Sequence, residues 1–406
     1  MRNTGIVSTV ADSSAPRLRH SGIAVAALFL VNGATFSNWL PRIPEIRDQL
    51  GIGNAGLGAT LLGGGLGGLI GSLTVARFMD RMGSRRLVVG AAALLSIGMP
   101  FIAWVPVAPL LLVLLTVLGT LDVFNDVAMN TQGVAVQTQL GRSIMNRLHA
   151  MWSLGFTGGA LVGSAASAVG IDVRLHLTVV GVVLLASVLV VQRWLIPHDP
   201  PPDPVTPSAD RAGAIGGQRT RRFSPVVVSM AVAAMAAIAL EVTPNDWAAV
   251  LLRDVFDAGR FSGFGTVACA GAMLVGRLGG DHVLDRVGPR RLLIGALWLI
   301  GVGLAITIAA PGTAVALLGL AVWGLGLSVV FPQLYATAAR LPGTTAGAGL
   351  GAMLFGQRLG AMLTAVAVGA IGGWLDLRWA FAIVGGLAFA TIVTVTNSRR
   401  ARVAAA

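Results

Sequence analysis

The chain has 406 residues, of which 55% are hydrophobic and only 11% charged, and its mean hydropathy is +0.80. A soluble domain carries about 25% charged residues, so this chain has too little polar surface to face water, and lipid is the solvent that fits it. The formal net charge is +12 and all 29 basic residues are arginine, but they stand in short clusters between apolar stretches, with no basic face of stacking aromatics, which excludes nucleic acid as a partner.

A helical span needs about 20 mostly apolar residues. On that basis residues 1–20 read as a polar tail, followed by six spans near 21–41, 54–78, 87–107, 109–132, 147–170 and 174–195. No small-residue cleavage site follows the first apolar stretch, so it reads as a retained span. Residues 196–222, rich in proline and closing on Arg219, Arg221 and Arg222, read as a flexible linker. Six more spans follow near 224–248, 260–283, 291–310, 313–338, 345–372 and 379–397, then a tail over 398–406. The expectation is an all-α membrane protein of twelve transmembrane helices in two bundles, 21–195 and 223–397.

Arginine placement sets the orientation. Arg81, Arg85 and Arg86 follow span two, Arg142 and Arg147 follow span four, and Arg286, Arg290 and Arg291 follow span eight. The alternate connections are balanced: Arg42 and Arg47 against Glu45 and Asp48, and Arg253 and Arg260 against Asp254 and Asp257. Arginine-rich loops stay in the cytoplasm, so both termini and the linker are expected there, in a multi-pass inner-membrane protein. Cys269, the only cysteine, lies in an apolar stretch and reads as a small packed residue. It allows neither an intramolecular disulfide nor a cysteine zinc site, and no metal is expected.

The two halves repeat one another. Asp80-Arg-Met-Gly-Ser-Arg-Arg-Leu-Val-Val-Gly-Ala matches Asp285-Arg-Val-Gly-Pro-Arg-Arg-Leu-Leu-Ile-Gly-Ala at an offset of 205 residues, each copy after the second span of its half. Fainter echoes link Asn38-Trp39 with Asn245-Asp-Trp247, and Gly119 and Phe124 with Gly326 and Phe331. Such order marks duplication of a six-helix unit, with two pseudo-symmetric halves about an axis along the membrane normal.

In these features the chain resembles the major facilitator superfamily, whose signature loop between helices two and three reads roughly Gly-x-x-x-Asp-Arg-x-Gly-x-Arg-Arg. The matching residues are Asp80, Arg81, Gly83, Arg85 and Arg86, and again Asp285, Arg286, Gly288, Arg290 and Arg291. Ala76 and Asp281 replace the leading glycine. The resemblance implies a cytoplasmic gate at this loop: Asp80 accepts backbone N–H bonds from a facing helix end, and the arginines bridge to carboxylates of the other half. Contacts made in one conformation only bias an equilibrium by a few kcal/mol. For the arginines the competing reading is a pure orientation signal. Asn32-Gly-x-x-x-Ser-Asn-Trp39, Asp126-x-x-Met-Asn130 and His149-x-x-Trp-Ser-Leu-Gly155 are similar to the sugar-permease branches that include fucose permeases. The arginine midway along helix four and the Gly-Pro motif in helix five that drug antiporters usually carry are absent; Leu115 and Gly155-Phe-Thr-Gly-Gly stand there.

A charge at mid-membrane costs roughly 3 kcal/mol or more, so each is a functional candidate. Asp122, Asp126 and Asn130 share one face of span four. Two carboxylates one turn apart resist ionising together, which suits a proton carrier; structural pairing with an arginine is the alternative. Span one offers Asn32, span five His149, span seven Glu241, and span eleven Gln357 and Arg358. The resemblance places spans one, four, seven and ten around a central cavity. Prolines Pro41 and Pro244 read as breaks in spans one and seven. Asp246 and Asn38, with Trp39 and Trp247, read as residues near the outer surface; the two tryptophans read as interface anchors, with stacking on a sugar ring, open also to Trp152 and Trp323, as the alternative.

No ATP-binding motif is present, so the expectation is a secondary transporter and not an enzyme. It would need no cofactor and be driven by a proton gradient. Its partners would be a small polar, possibly sugar-like, solute and the lipid bilayer, and it would function as a monomer. A drug or metabolite efflux antiporter and a non-transporting sensor remain as alternatives.

Overall fold

The computed structural model describes residues 7–197, 224–341 and 344–404, and these are helical with no strand among them. Most of the expected linker, and the side chains of Asp281, Arg399, Arg400 and Arg402, lie outside the described residues.

Each of the twelve expected spans finds a helical segment. Span one is Val7–Ser37, which begins inside the expected tail. Spans two and three form one helical stretch, Asn54–Phe101, broken at Gly83. Spans four, five and six are Ala108–Leu140, Met145–Ala168 and Val173–Val191. Span seven is Pro225–Asp254, and spans eight and nine form Phe264–Ala309, broken at Gly288. Span eleven is Ala346–Trp374, and span twelve comprises Leu377–Ala380, a π-helical turn Phe381–Gly385 and Gly386–Ala404.

Two helices differ from expectation. Span seven runs unbroken through Pro244, whereas span ten is divided into Thr313–Leu327 and Val330–Ala338. Pro332 explains the second: it has no N–H to offer the carbonyl of Ser328, and the chain tightens there, with the Ser328 hydroxyl donating to the Leu325 carbonyl at 2.7 Å.

Glycines set how closely the helices approach. A Cβ at Gly155 of span five would lie 2.1 Å from the Leu30 carbonyl oxygen of span one, and one at Gly356 of span eleven 2.1 Å from that of Ala231 in span seven. The same closeness joins Gly67 of span two to Thr116 of span four, and Gly324 of span ten to Cys269 of span eight. Equivalent helix pairs in both halves thus meet backbone to backbone, which favours dispersion contacts where lipid supplies no hydrophobic drive. Cys269 is fully buried at such a contact.

The repeat extends to the backbone. Gly83 has φ 73 and ψ 162, and Gly288 has φ 78 and ψ 162. That region is open almost only to glycine, so the fourth position of each Asp-Arg-x-Gly loop is a conformational requirement. The direction of the helices puts these two loops at one end of the molecule, the loop end; Arg47, Asn54 and Asp254 lie at the other, the far end.

A candidate transport cavity between the two halves

Between the halves lies a cavity of about 380 Å³, within the size range of small-molecule sites. Spans one, four, five and seven dominate its wall, and four acids open onto it: Asp122, Asp126, Glu241 and Asp246. The first two come from span four of the first half and the last two from span seven of the second, so each half contributes two acids from one helix.

The first-half wall is held by a hydrogen-bond chain. Trp152 Nε1 donates to Asn32 Oδ1 at 2.7 Å, and Asn32 Nδ2 donates to Asp122 Oδ1 at 3.2 Å. Spans five, one and four are thereby tied at one point, and Trp152 stacks on Phe156 at 5.3 Å between ring centroids. Asn130 Nδ2 donates to Asp126 Oδ1 at 3.1 Å and to the Asp126 carbonyl at 2.8 Å. His149 is exposed, lies edge-on to Phe29 at 5.4 Å and is within electrostatic reach of Asp126.

Two arginines of the second half approach this wall. Arg358 of span eleven packs its guanidinium against Gly68 of span two, where a Cβ would meet Nη1 at 2.8 Å. It lies within electrostatic reach of Asp122 and Asp126, while its neighbour Gln357 lies beside Tyr335 of span ten. Arg277 of span eight donates to the Ser153 hydroxyl of span five at 2.9 Å and lies within reach of Glu241. Neither comes within ion-pair distance of an acid: the pairs formed by described residues join Arg42 to Glu45, Arg47 to Asp48 and Asp254, and Arg253 to Asp48.

Asp122, Asp126, Asn32 and Glu241 therefore meet at one cavity; Asn130, His149, Gln357 and Arg358 stand beside it. Asp246 and Trp39 line the cavity instead of sitting at an outer surface, and Asn38 and Trp247 are buried. Interface anchoring is thus excluded for both tryptophans. Arg277 was not anticipated. The signal was present, a lone arginine inside the apolar run Ala-Met-Leu-Val-Gly-Arg277-Leu, the same rarity that marks Arg358.

The signature loops form no bridge between the halves in this conformation. Asp80, Arg81, Arg86, Asp285, Arg286, Arg290 and Arg291 are exposed and enter none of those ion pairs, and Arg85 donates to the Gln192 carbonyl of its own half at 3.1 Å. At the far end the halves are joined. Arg47 binds both carboxylate oxygens of Asp254, one at 2.9 Å, and Arg253 binds Asp48. Asn54 Nδ2 donates to the Gly372 carbonyl at 3.1 Å, and Gly58 and Gly369 place spans two and eleven backbone to backbone. Near them Arg42, almost wholly buried, holds Glu45 and the Ile171 carbonyl at 2.6 and 2.7 Å.

Two duplicated six-helix bundles around an acid-lined cavity, salt-bridged to each other at the far end, define a membrane carrier. The family model for the Major Facilitator Superfamily matches residues 25–341, and the chain belongs to that superfamily. It is 27% identical over 374 residues to an uncharacterised transporter of Sinorhizobium fredii, covering 91% of this chain and 96% of that one. It is 28% identical over 319 residues to the membrane protein MosC of Rhizobium meliloti, covering 78% and 75%. Among solved structures it is similar to the nucleoside transporter NupG, with TM-score 0.70, 13% identity and coverage of 93% and 98%. A bacterial homologue of the human lysosomal transporter Spinster, inward-facing and unoccupied, gives TM-score 0.67 at 16% identity, with coverage of 94% and 95%. These likenesses concern the fold.

Proposed function

We propose that the protein moves a small polar solute across the inner membrane by alternating access, coupled to protons. The observation that carries this reading is the single cavity onto which both halves present two carboxylates without an ion pair. Carboxylates in such a place exchange protons more readily than structural, arginine-clamped ones. Arginine bias puts the loop end and both termini in the cytoplasm, so the structure corresponds to an inward-facing state with its outer end closed. The Arg47–Asp254 and Arg253–Asp48 pairs are then outer-gate contacts, and the signature loops await partners they meet only when the inner end closes.

The test is flux in proteoliposomes under an imposed proton gradient, screened over sugars, sugar acids, amino acids and organic cations. At least one solute should accumulate, and a protonophore should abolish that accumulation. Solute binding without any flux would mean a sensor; flux indifferent to the proton gradient would remove the coupling.

A further inference from the structure

We infer that the wall formed by Glu241, Asn245 and Asp246 receives a positively charged amino group, so that the solute is a polar organic amine. This rests on the transporter reading and names its substrate class.

The unmet hydrogen-bonding capacity of the cavity is lopsided. On the first-half wall Asp122 and Asp126 already accept from Asn32 and Asn130. On the span-seven wall Glu241 and Asp246 accept no hydrogen bond and enter no ion pair among the described residues. Between them Asn245, only 9% exposed, has a buried Oδ1 with no donor. Three neighbouring acceptor groups, two of them carboxyl groups that an ammonium would hold ionised, thus stand at the cavity wall without a donor among the described residues. The complementary vacancy is a donor: Trp39, 4% exposed and also lining the cavity, has a buried Nε1 with no acceptor.

An ammonium group offers three donors and no acceptor, which matches the span-seven wall in both hydrogen bonding and charge. A hydroxyl or carbonyl elsewhere on the same molecule would accept from Trp39. A neutral polyol can donate to the wall but leaves its charge unmatched, and an anion adds to it. Arg277 is within electrostatic reach of Glu241 but, bonded to Ser153, forms no ion pair with it among the described residues and does not line the cavity. The Trp152–Phe156 stack on the opposite side supplies aromatic faces that also attract cations.

The experiment is calorimetric titration of the purified chain in lipid nanodiscs with matched probes: D-glucosamine against D-glucose, putrescine against 1,4-butanediol, and D-gluconate as the anion. At least one amine should bind tenfold or more tightly than its neutral partner, with gluconate weakest. Glu241→Gln with Asp246→Asn should reduce that preference below threefold, whereas Asp376→Asn, outside the cavity, should leave it unchanged. Should the double variant fail to fold, Glu241→Gln and Asp246→Asn are measured singly, each expected to lower the preference at least threefold. No preference for either amine, including no binding at all, overturns the inference. So does a preference that survives in folded variants of both acids. A chain that accumulates neutral solutes on a proton gradient without favouring amines would overturn this inference alone; a chain that moves no solute would overturn the transporter reading.

Discussion

Arg47 of the first half grips Asp254 of the second, and Arg253 grips Asp48 in return. The two Arg-Asp dipeptides stand 206 residues apart, one after span one and one at the end of span seven, and each closes the far end by pairing with the other. With side chains 12% and 28% exposed, the Arg47–Asp254 pair contributes about 0.2–1 kcal/mol. Asp254→Asn should therefore open the far end more often, by up to about fivefold in population. Ala365→Cys in a Cys269→Ala background reports this, since Ala365 is buried against Gly58. Its labelling rate should rise with Asp254→Asn and, in the parent, with ionic strength; an unchanged rate refutes the gate.

Asp80 has no partner among the described residues, so removing its charge breaks no described contact of this state. Asp80→Asn should raise the population of the present conformation and slow labelling at Ala365→Cys. A variant with unaltered labelling would return Asp80 to a mere surface acid.

The backbone at Gly83 and Gly288 lies where other residues are strained by about 1–3 kcal/mol. Gly83→Ala and Gly288→Ala should each lower the melting temperature, by similar amounts because the two conformations nearly coincide. Melting curves that match the parent would mean the loops relax freely.

Asp126 is the strongest proton-carrier candidate, since its side chain faces the cavity and its fixed donor is the amide of Asn130. Asp126→Asn should spare solute exchange to within a few fold and cut proton-driven accumulation more than tenfold. Accumulation that persists at every pH would assign coupling elsewhere, with Asp122 and Glu241 next in line.

Gly155 and Gly158 sit one turn apart in span five yet differ in surroundings. A Cβ at Gly155 meets the Leu30 carbonyl at 2.1 Å, and one at Gly158 meets nothing within 4 Å. Gly155→Ala should cost about 1–3 kcal/mol through overpacking, while Gly158→Ala should be neutral or slightly stabilising. Equal thermal shifts would mean the helices part without penalty.

Much of this was legible in the residues. Twelve apolar stretches, a repeated loop and the buried acids of spans four and seven follow from composition, spacing and the rarity of charge inside a membrane span. Asp246 was misplaced because a position near the end of an apolar span says nothing about how deep a cavity reaches. Trp39 and Trp247 were misplaced for the same reason: a tryptophan near a helix end is an anchor only if that end faces lipid. The four charges of the far end were read as balanced within their own loops. Both dipeptides were visible, but partner choice across halves depends on tertiary approach, which no local charge count records.

The contact between spans two and eleven is made where neither helix has much side chain to offer. Gly58 rests on Ala365 and Gly369, Gly65 accommodates Met362, and Gly263 of span eight fits against Pro41 and Ser164 in the same manner. Where Gly58 meets Gly369 there is no knob to withdraw from a hole, so the bundles can part at that end before the side chains of Met362 and Arg358, seated on Gly65 and Gly68, have to leave their places. The same residue type that fuses helices into stiff blocks inside each bundle thus leaves the far end of the seam smooth, concentrating motion where a carrier has to move.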